Sequence, residues 1–129
     1  NVLTSAKKYA KENECDIIIN KKSVEFILNN APDHFLWWIE NAEAVFTNSF
    51  HGTAFSINFN KQFIEILPNT KTGSRNQSIL QLTGLQDRIV TDYNDFSIAT
   101  KMIDYTFVNG IIKEERKKSY CILKRIIEE

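Results

Sequence analysis

The sequence predicts an α/β protein, a parallel sheet with helices packed on both faces. Three observations predict it. Short runs rich in β-branched and aromatic residues recur along the chain, as at 16–20 (Asp-Ile-Ile-Ile-Asn), 44–47 (Ala-Val-Phe-Thr) and 62–67 (Gln-Phe-Ile-Glu-Ile-Leu). The isoleucine run is continuous rather than alternating, as a strand covered on both faces requires. Segments with helical spacing of apolar residues stand between these runs, and strands alternating with helices give a parallel sheet.

The chain has 129 residues, 43% hydrophobic and 25% charged, which is the composition of one compact domain spanning 1–129. A chain this apolar is not disordered. Two cysteines, Cys15 and Cys121, do not make a disulfide scaffold or a metal-ligand spacing. No apolar run approaches the roughly 20 residues of a membrane-spanning helix. Sixteen basic and sixteen acidic residues give no net charge, so no global field attracts nucleic acid or anionic lipid. An anion site must be built locally. The chain opens on Asn1 and on a helical pattern, and it reads as a piece of a longer protein whose first strand precedes it.

Element by element, residues 3–13 place Leu3, Ala6, Tyr9 and Ala10 on one helical face, with Thr4 or Ser5 as the cap. A strand follows at 16–20, and 21–30 read as a loop with a short turn. Pro32 suits the first position of a helix. Phe35, Leu36, Ile39 and Ala42 form the apolar face of that helix, which ends near Asn41. Trp37 and Trp38 adjoin on it, so one faces the core and the other solvent or a partner. Residues 44–47 are the next strand. Residues 48–52 (Asn-Ser-Phe-His-Gly) form a tight turn into a helix over 53–59. The strand at 62–67 leads into a polar loop at 68–73. Ser74-Arg75-Asn76-Gln77 matches a capping box, in which serine and glutamine side chains satisfy two helix-end donors reciprocally. That helix reaches Thr83, and Gly84 supplies the left-handed residue that ends it. A short last strand covers 88–91. Asn94 or Asp95 caps a helix through Ile103. A final helix runs over 110–128, with Ile112, Ser119, Tyr120, Leu123, Ile126 and Ile127 facing inward.

In an open parallel sheet, ligands bind outside the carboxyl ends of the strands. The turn after Thr47 is the leading candidate. A helix start there offers free N–H groups and about half a positive charge. Gly52 lets a bound group approach the backbone, and Ser49 and Thr53 add hydroxyls. His51 adds an imidazole, a side chain that can gain or lose a proton. A histidine at a strand–helix turn also serves simply as a packing residue. Arg75 is the second candidate. A cation is disfavoured at a helix start unless an anion sits nearby, although a solvated arginine tolerates the penalty. Lys61 and Arg88 are weaker candidates, and His34 reads as a surface residue. Glycine-rich dinucleotide, P-loop, zinc-hydrolase and Gly-x-Ser-x-Gly elements are all absent from the sequence.

Residues 32–36 (Pro-Asp-His-Phe-Leu), 39–56 (Ile-Glu-Asn-Ala-Glu-Ala-Val-Phe-Thr-Asn-Ser-Phe-His-Gly-Thr-Ala-Phe-Ser) and 60–63 (Asn-Lys-Gln-Phe) closely resemble the polysaccharide pyruvyl transferase family. The later Arg75-Asn76-Gln77-Ser78-Ile79-Leu80, with Gly84, Leu85 and Arg88, also fits. The resemblance implies two Rossmann-like domains facing across a cleft, as in GT-B glycosyltransferases, with this chain forming most of the C-terminal one. The N-terminal domain of the same protein is then its partner. The implied reaction moves a pyruvyl group from phosphoenolpyruvate to a sugar of a bacterial cell-surface polysaccharide or its lipid-linked precursor, usually as a ketal. It needs no cofactor and no metal. Some relatives carry Ser-x-Arg-Leu-His at the turn, whose Arg and His are linked to donor binding and acid–base work. His51 matches that His, so it is the expected catalytic residue. Ser49 stands where the Arg would be, and Arg75 is expected to supply the missing charge, an inference from its position. Ser49, Gly52, Thr53 and Arg75 are the expected substrate-binding residues.

Two other readings compete. A GT-B glycosyltransferase domain would carry a nucleotide-contacting glutamate after the equivalent turn, often in a Glu-x7-Glu pattern, and none is seen. A non-catalytic Rossmann-like module would tolerate loss of His51. The pyruvyl transferase reading implies a cytoplasmic protein, peripheral to the inner face of the membrane, and an isolated chain that folds but is inactive.

Overall fold

A computed structural model describes residues 2–18, 32–67, 73–91 and 97–128. In chain order it holds helices α1 (Val2–Glu12) and α2 (Pro32–Asn41), strand β1 (Ala44–Thr47), helix α3 (Phe50–Asn58) and strand β2 (Gln62–Ile66). Helix α4 (Ser74–Thr83), a 3-10 turn (Gln86–Arg88), strand β3 (Ile89–Val90), helix α5 (Ser97–Thr100) and helix α6 (Tyr105–Glu128) complete it. The expected loops at 21–30 and 68–72, and the expected cap at Asn94 or Asp95, lie outside the described residues.

The sheet is parallel, in the order β1-β2-β3, with Thr47 opposite Glu65 and Glu65 opposite Ile89. Side chains alternate across it, as strand geometry requires. Val45, Phe63 and Ile89 pack on one face with Ile57 of α3, Leu80 of α4 and Val108 of α6. Phe46, Ile64, Ile66 and Val90 pack on the other with Tyr9 of α1 and Ala99 of α5. The molecule is therefore α/β with helices on both sheet faces. Helix α2 packs outside α3, where Phe35 meets Phe55 edge-on at 6.2 Å.

Several elements differ from the sequence reading, each for a physical reason. Residues 16–18 form no strand, and Ile18 is 64% exposed. Helix α1 ends on a left-handed Glu14 (φ 52), with the Cys15 N–H donating to the Ala10 carbonyl at 2.9 Å. Beyond that turn Ile17 and Ile18 find no ladder partner among the described residues, and a β-branched run is a strand only where a neighbour supplies one; residues 19–20 of the expected strand lie outside the described residues. Ser5 does not cap α1; it lies inside the helix and is fully buried. Helix α5 stops at Thr100, short of Ile103, because Arg88 takes its carbonyls: Nη1 donates to the Ile98 carbonyl at 2.9 Å and Nη2 to that of Lys101. Helix α6 begins at Tyr105 rather than Gly110, because Asp104 Oδ1 accepts the Thr106 N–H at 3.0 Å in the manner of an N-cap. The distal half of α6 does not face inward. Tyr120, Leu123, Ile126 and Ile127 are all more than half exposed.

Other expectations hold. Pro32 opens α2 and Trp37 is exposed while Trp38 is half-buried. Gly84 ends α4 at φ 71, with the Leu85 N–H on the Leu80 carbonyl at 2.8 Å and the Gly84 N–H on that of Gln81. That pair of bonds is a Schellman motif, and Leu80 and Leu85 both join the core beneath it. Arg88, read from the sequence as a weak ligand candidate, is 1% exposed and belongs to the scaffold. Replacing it with leucine strands the two carbonyls it serves. Hydrogen bonds from a charged donor contribute about 1.5–3 kcal/mol each, so Arg88→Leu is expected to cost ~3 kcal/mol in denaturant unfolding.

Candidate functional site

Strands β1 and β2 run parallel, so the helices that follow them, α3 and α4, both start at the carboxyl edge of the sheet. Their starts form the candidate site. Helix α3 begins earlier than the sequence reading placed it. Ser49 is its N-cap in extended conformation (φ −97, ψ 132), and Phe50 is its first residue. His51 and Gly52 thus sit in the first turn rather than in a preceding loop.

The first internal bond of α3 runs from the Thr53 N–H to the Ser49 carbonyl at 3.0 Å. The N–H groups of Phe50, His51 and Gly52 precede it and so have no acceptor within the helix. The Ser49 hydroxyl makes no capping bond to them. The Ser49 N–H is already used, donating to Thr47 Oγ1 at 3.0 Å. His51 and Ser49 are exposed at this edge. Three N–H donors, the Ser49 hydroxyl and the His51 imidazole are therefore gathered at this helix start.

Arg75 comes to the same place. Its guanidinium lies over the Phe50 ring, 5.4 Å from the centroid. The His51 ring meets Phe50 edge-on, with centroids 6.0 Å apart. Guanidinium and imidazole are thus no farther apart than those two distances together. Arg75 occupies the second position of α4, whose N-cap is Gly73, and no acidic residue sits in the first turn of either helix. Two positive helix ends and one arginine converge there.

Gly52 and Thr53 play other parts than the sequence suggested. A Cβ on Gly52 would lie 2.3 Å from Thr47 Oγ1. The space beside this glycine belongs to the β1 threonine, and its absent side chain lets α3 dock on the end of β1. The Thr53 side chain is fully buried and turns away from the edge. Its hydroxyl is bonded to Glu65 Oε2 and lies 3.0 Å from the Ser49 carbonyl. The capping box at Ser74 is likewise not formed. Ser74 lies within the helix, no side chain caps its start, and Ser78 Oγ donates back to the Ser74 carbonyl at 2.9 Å.

The residue that sequence reasoning missed is Glu65. It is wholly buried at the carboxyl end of β2, and its Oε1 accepts from Asn76 Nδ2 at 2.6 Å. With Thr53 on its other oxygen, this one carboxyl joins β2, α3 and α4. Burial pushes its pKa above the usual carboxylate range, and the bonds from Thr53 and Asn76 offset that only in part. The signal was a lone acid in the apolar run 62–67, since a charged residue in a strand covered on both faces must find internal partners. The other weak candidate, Lys61, contributes its carbonyl, which accepts from Tyr105 Oη. His34 is exposed on α2.

The model of the polysaccharide pyruvyl transferase family matches residues 3–70, just over half of the chain. The chain belongs to the polysaccharide pyruvyl transferase family. The match contains β1, the His51 turn, α3 and β2, whereas Arg75 and Asn76 lie beyond it. Comparison with curated proteins and with solved structures gave no match. In this family member the His51 turn thus lies within the match and the arginine beside it is contributed by the following helix. No helix among the described residues is long and apolar enough to cross a membrane.

The close approach at Gly52 makes a sharp prediction. Alanine in a helix normally gains about 1 kcal/mol over glycine. Here the new methyl meets Thr47, so Gly52→Ala is expected to lose roughly 1–3 kcal/mol, the usual range for overpacking. Removing the hydroxyl in a Thr47→Ala background is expected to recover part of the loss. Chemical denaturation of the two variants and their double mutant measures both effects.

Proposed function

We propose that the protein containing this chain transfers a pyruvyl group from phosphoenolpyruvate to a sugar hydroxyl of a polysaccharide or its lipid-linked precursor. In this reading the chain is the C-terminal half of a GT-B-like enzyme, and the acceptor enters from the facing N-terminal domain. The convergence of His51 and Arg75 on the Phe50 ring, between two helix starts, is the observation that carries it.

Phosphoenolpyruvate bears a phosphate and a carboxylate. The phosphate takes the unpaired N–H groups of Phe50, His51 and Gly52, as anions do at helix starts. Arg75 pairs with the carboxylate or with the phosphate through parallel N–H bonds. Forming the ketal requires a proton at the methylene carbon, attack of two sugar hydroxyls in turn at the neighbouring carbon with loss of their protons, and departure of inorganic phosphate from that carbon. His51, exposed at the turn, is the group placed to move such a proton. Ser49 stays free to bond the donor because its hydroxyl caps nothing.

Two variants of the intact enzyme test this division of labour. Arg75→Ala is expected to raise the KM for phosphoenolpyruvate about tenfold to a hundredfold, the equivalent of one or two lost charged bonds. His51→Ala is expected to lower kcat by about 100-fold or more with a smaller change in KM, the range for loss of a general acid–base group. Steady-state kinetics with varied donor separates the two. An unchanged KM in the first, or full turnover in the second, removes that residue from the site.

A further inference from the structure

Among the described residues Glu65 is buried without a counter-ion: no lysine, arginine or histidine there forms an ion pair with it. The charged or titratable groups on the elements packed around it are otherwise engaged. His51 is exposed on α3, and Arg75 lies over Phe50 on α4. Arg88, just before β3, binds the carbonyls of Ile98 and Lys101. Asp87 pairs with Lys101 at 3.6 Å. A lone buried carboxylate is costly, and such groups usually keep their proton.

The bonds around the carboxyl accommodate that proton. Thr53 has one hydroxyl hydrogen and two acceptors within reach, the Ser49 carbonyl and Glu65 Oε2. The Ser49 carbonyl already accepts the Thr53 N–H at 3.0 Å. With a proton on Oε2, Glu65 donates to Thr53 Oγ1, Thr53 donates to the Ser49 carbonyl, and Asn76 Nδ2 donates to Oε1.

We propose that Glu65 is a positioning residue whose carboxyl, held neutral, ties the helix start that carries His51 to the helix start that carries Arg75. Thr53 lies two residues after His51, and Asn76 directly follows Arg75. One side chain therefore sets the spacing of the two exposed groups without reaching the edge itself. Neutrality has a second consequence. A negative charge beneath the two helix starts would cancel part of the field that receives an anion, and the neutral acid leaves that field intact. The role in donor binding rests on the pyruvyl transferase reading; the protonation state and the tie do not.

The test uses the intact protein and three variants, Glu65→Gln, Glu65→Ala and Asn76→Ala. Glutamine copies the neutral acid, since its amide donates to Thr53 and its oxygen accepts from Asn76. If the folded pKa is raised, the native state holds a proton that the unfolded chain releases above about pH 4.3. Wild-type stability relative to Glu65→Gln then falls as pH rises, by up to tenfold in the unfolding equilibrium per pH unit, until the folded pKa is passed. An infrared difference spectrum between the two proteins at neutral pH shows a carboxylic-acid carbonyl band. A relative stability that rises or stays flat with pH, or a difference spectrum with carboxylate bands alone, overturns the neutral carboxyl.

The tie is read from the ring-current shift that Phe50 imposes on the Arg75 side chain, and from kinetics. Glu65→Ala and Asn76→Ala are expected to lose that shift and to raise the KM for phosphoenolpyruvate at least tenfold with kcat changed less. Glu65→Gln is expected to keep both. Asn76→Ala cuts the tie at one end only and covers the case in which Glu65→Ala does not fold. A ring-current shift that survives in Asn76→Ala, or a Glu65→Gln protein that behaves like the alanine variant, overturns the positioning role. A wild type that shows the shift and the stability profile but binds no phosphoenolpyruvate instead overturns the pyruvyl transferase reading alone.

Discussion

The Glu65 carboxyl, bonded to Thr53 on one side and Asn76 on the other, is the constraint on which the carboxyl edge of this domain depends. The parallel register sets Glu65 between Thr47 and Ile89, in the middle of the sheet. Its side chain points to the same face as Phe63, beneath the starts of α3 and α4. To satisfy it, Thr53 must turn inward, which draws the first turn of α3 down onto β1. That approach is why residue 52 has no side chain: Thr47 fills the space. Asn76 must turn inward as well, which leaves its neighbour Arg75 outward and over Phe50. One buried acid thus orders the glycine, the threonine, the asparagine and the arginine around it.

The arrangement separates buried groups that hold the helix starts from exposed groups at the sheet edge. Glu65, Asn76, Thr53 and Thr47 are buried and have their hydrogen bonds within the protein. Ser49, His51 and Arg75 are exposed, and the N–H groups beside them have no acceptor in the helix. A site built on helix starts, supported from below by locked rotamers, presents its donors without reorganisation when an anion arrives.

Much of the fold was legible from periodicity. Strand β1, the limits of α2 and the left-handed stop at Gly84 follow from local chemistry and hold in the structure. The departures arise where a distant partner decides. Ser74 matched a cap by pattern, yet Gly73 takes that position because Asn76 is pulled down to β2. Helix α5 was cut short by an arginine ten residues before its last turn. The apolar stripe of α6 is periodic in sequence, but the described domain covers only its first turns, where Val108 is buried. At the site, His51, Ser49 and Arg75 were legible as exposed groups at helix starts. Thr53 and Gly52 were legible as neighbours of that helix start, but the helix begins earlier than expected and their packing was not legible, because it depends on Glu65 twelve positions away and on the preceding strand. Glu65 was visible only as an acid in an apolar strand; its partners lie on two other elements.

The central claim is that the donor anion binds at the paired starts of α3 and α4. The most direct measurement is an amide and arginine side-chain NMR titration of the intact protein with phosphoenolpyruvate. The account predicts that the backbone N–H groups of Phe50, His51 and Gly52 and the Arg75 guanidinium shift together, with one saturation curve. Saturable binding that moves resonances elsewhere and leaves those four groups unchanged would contradict it.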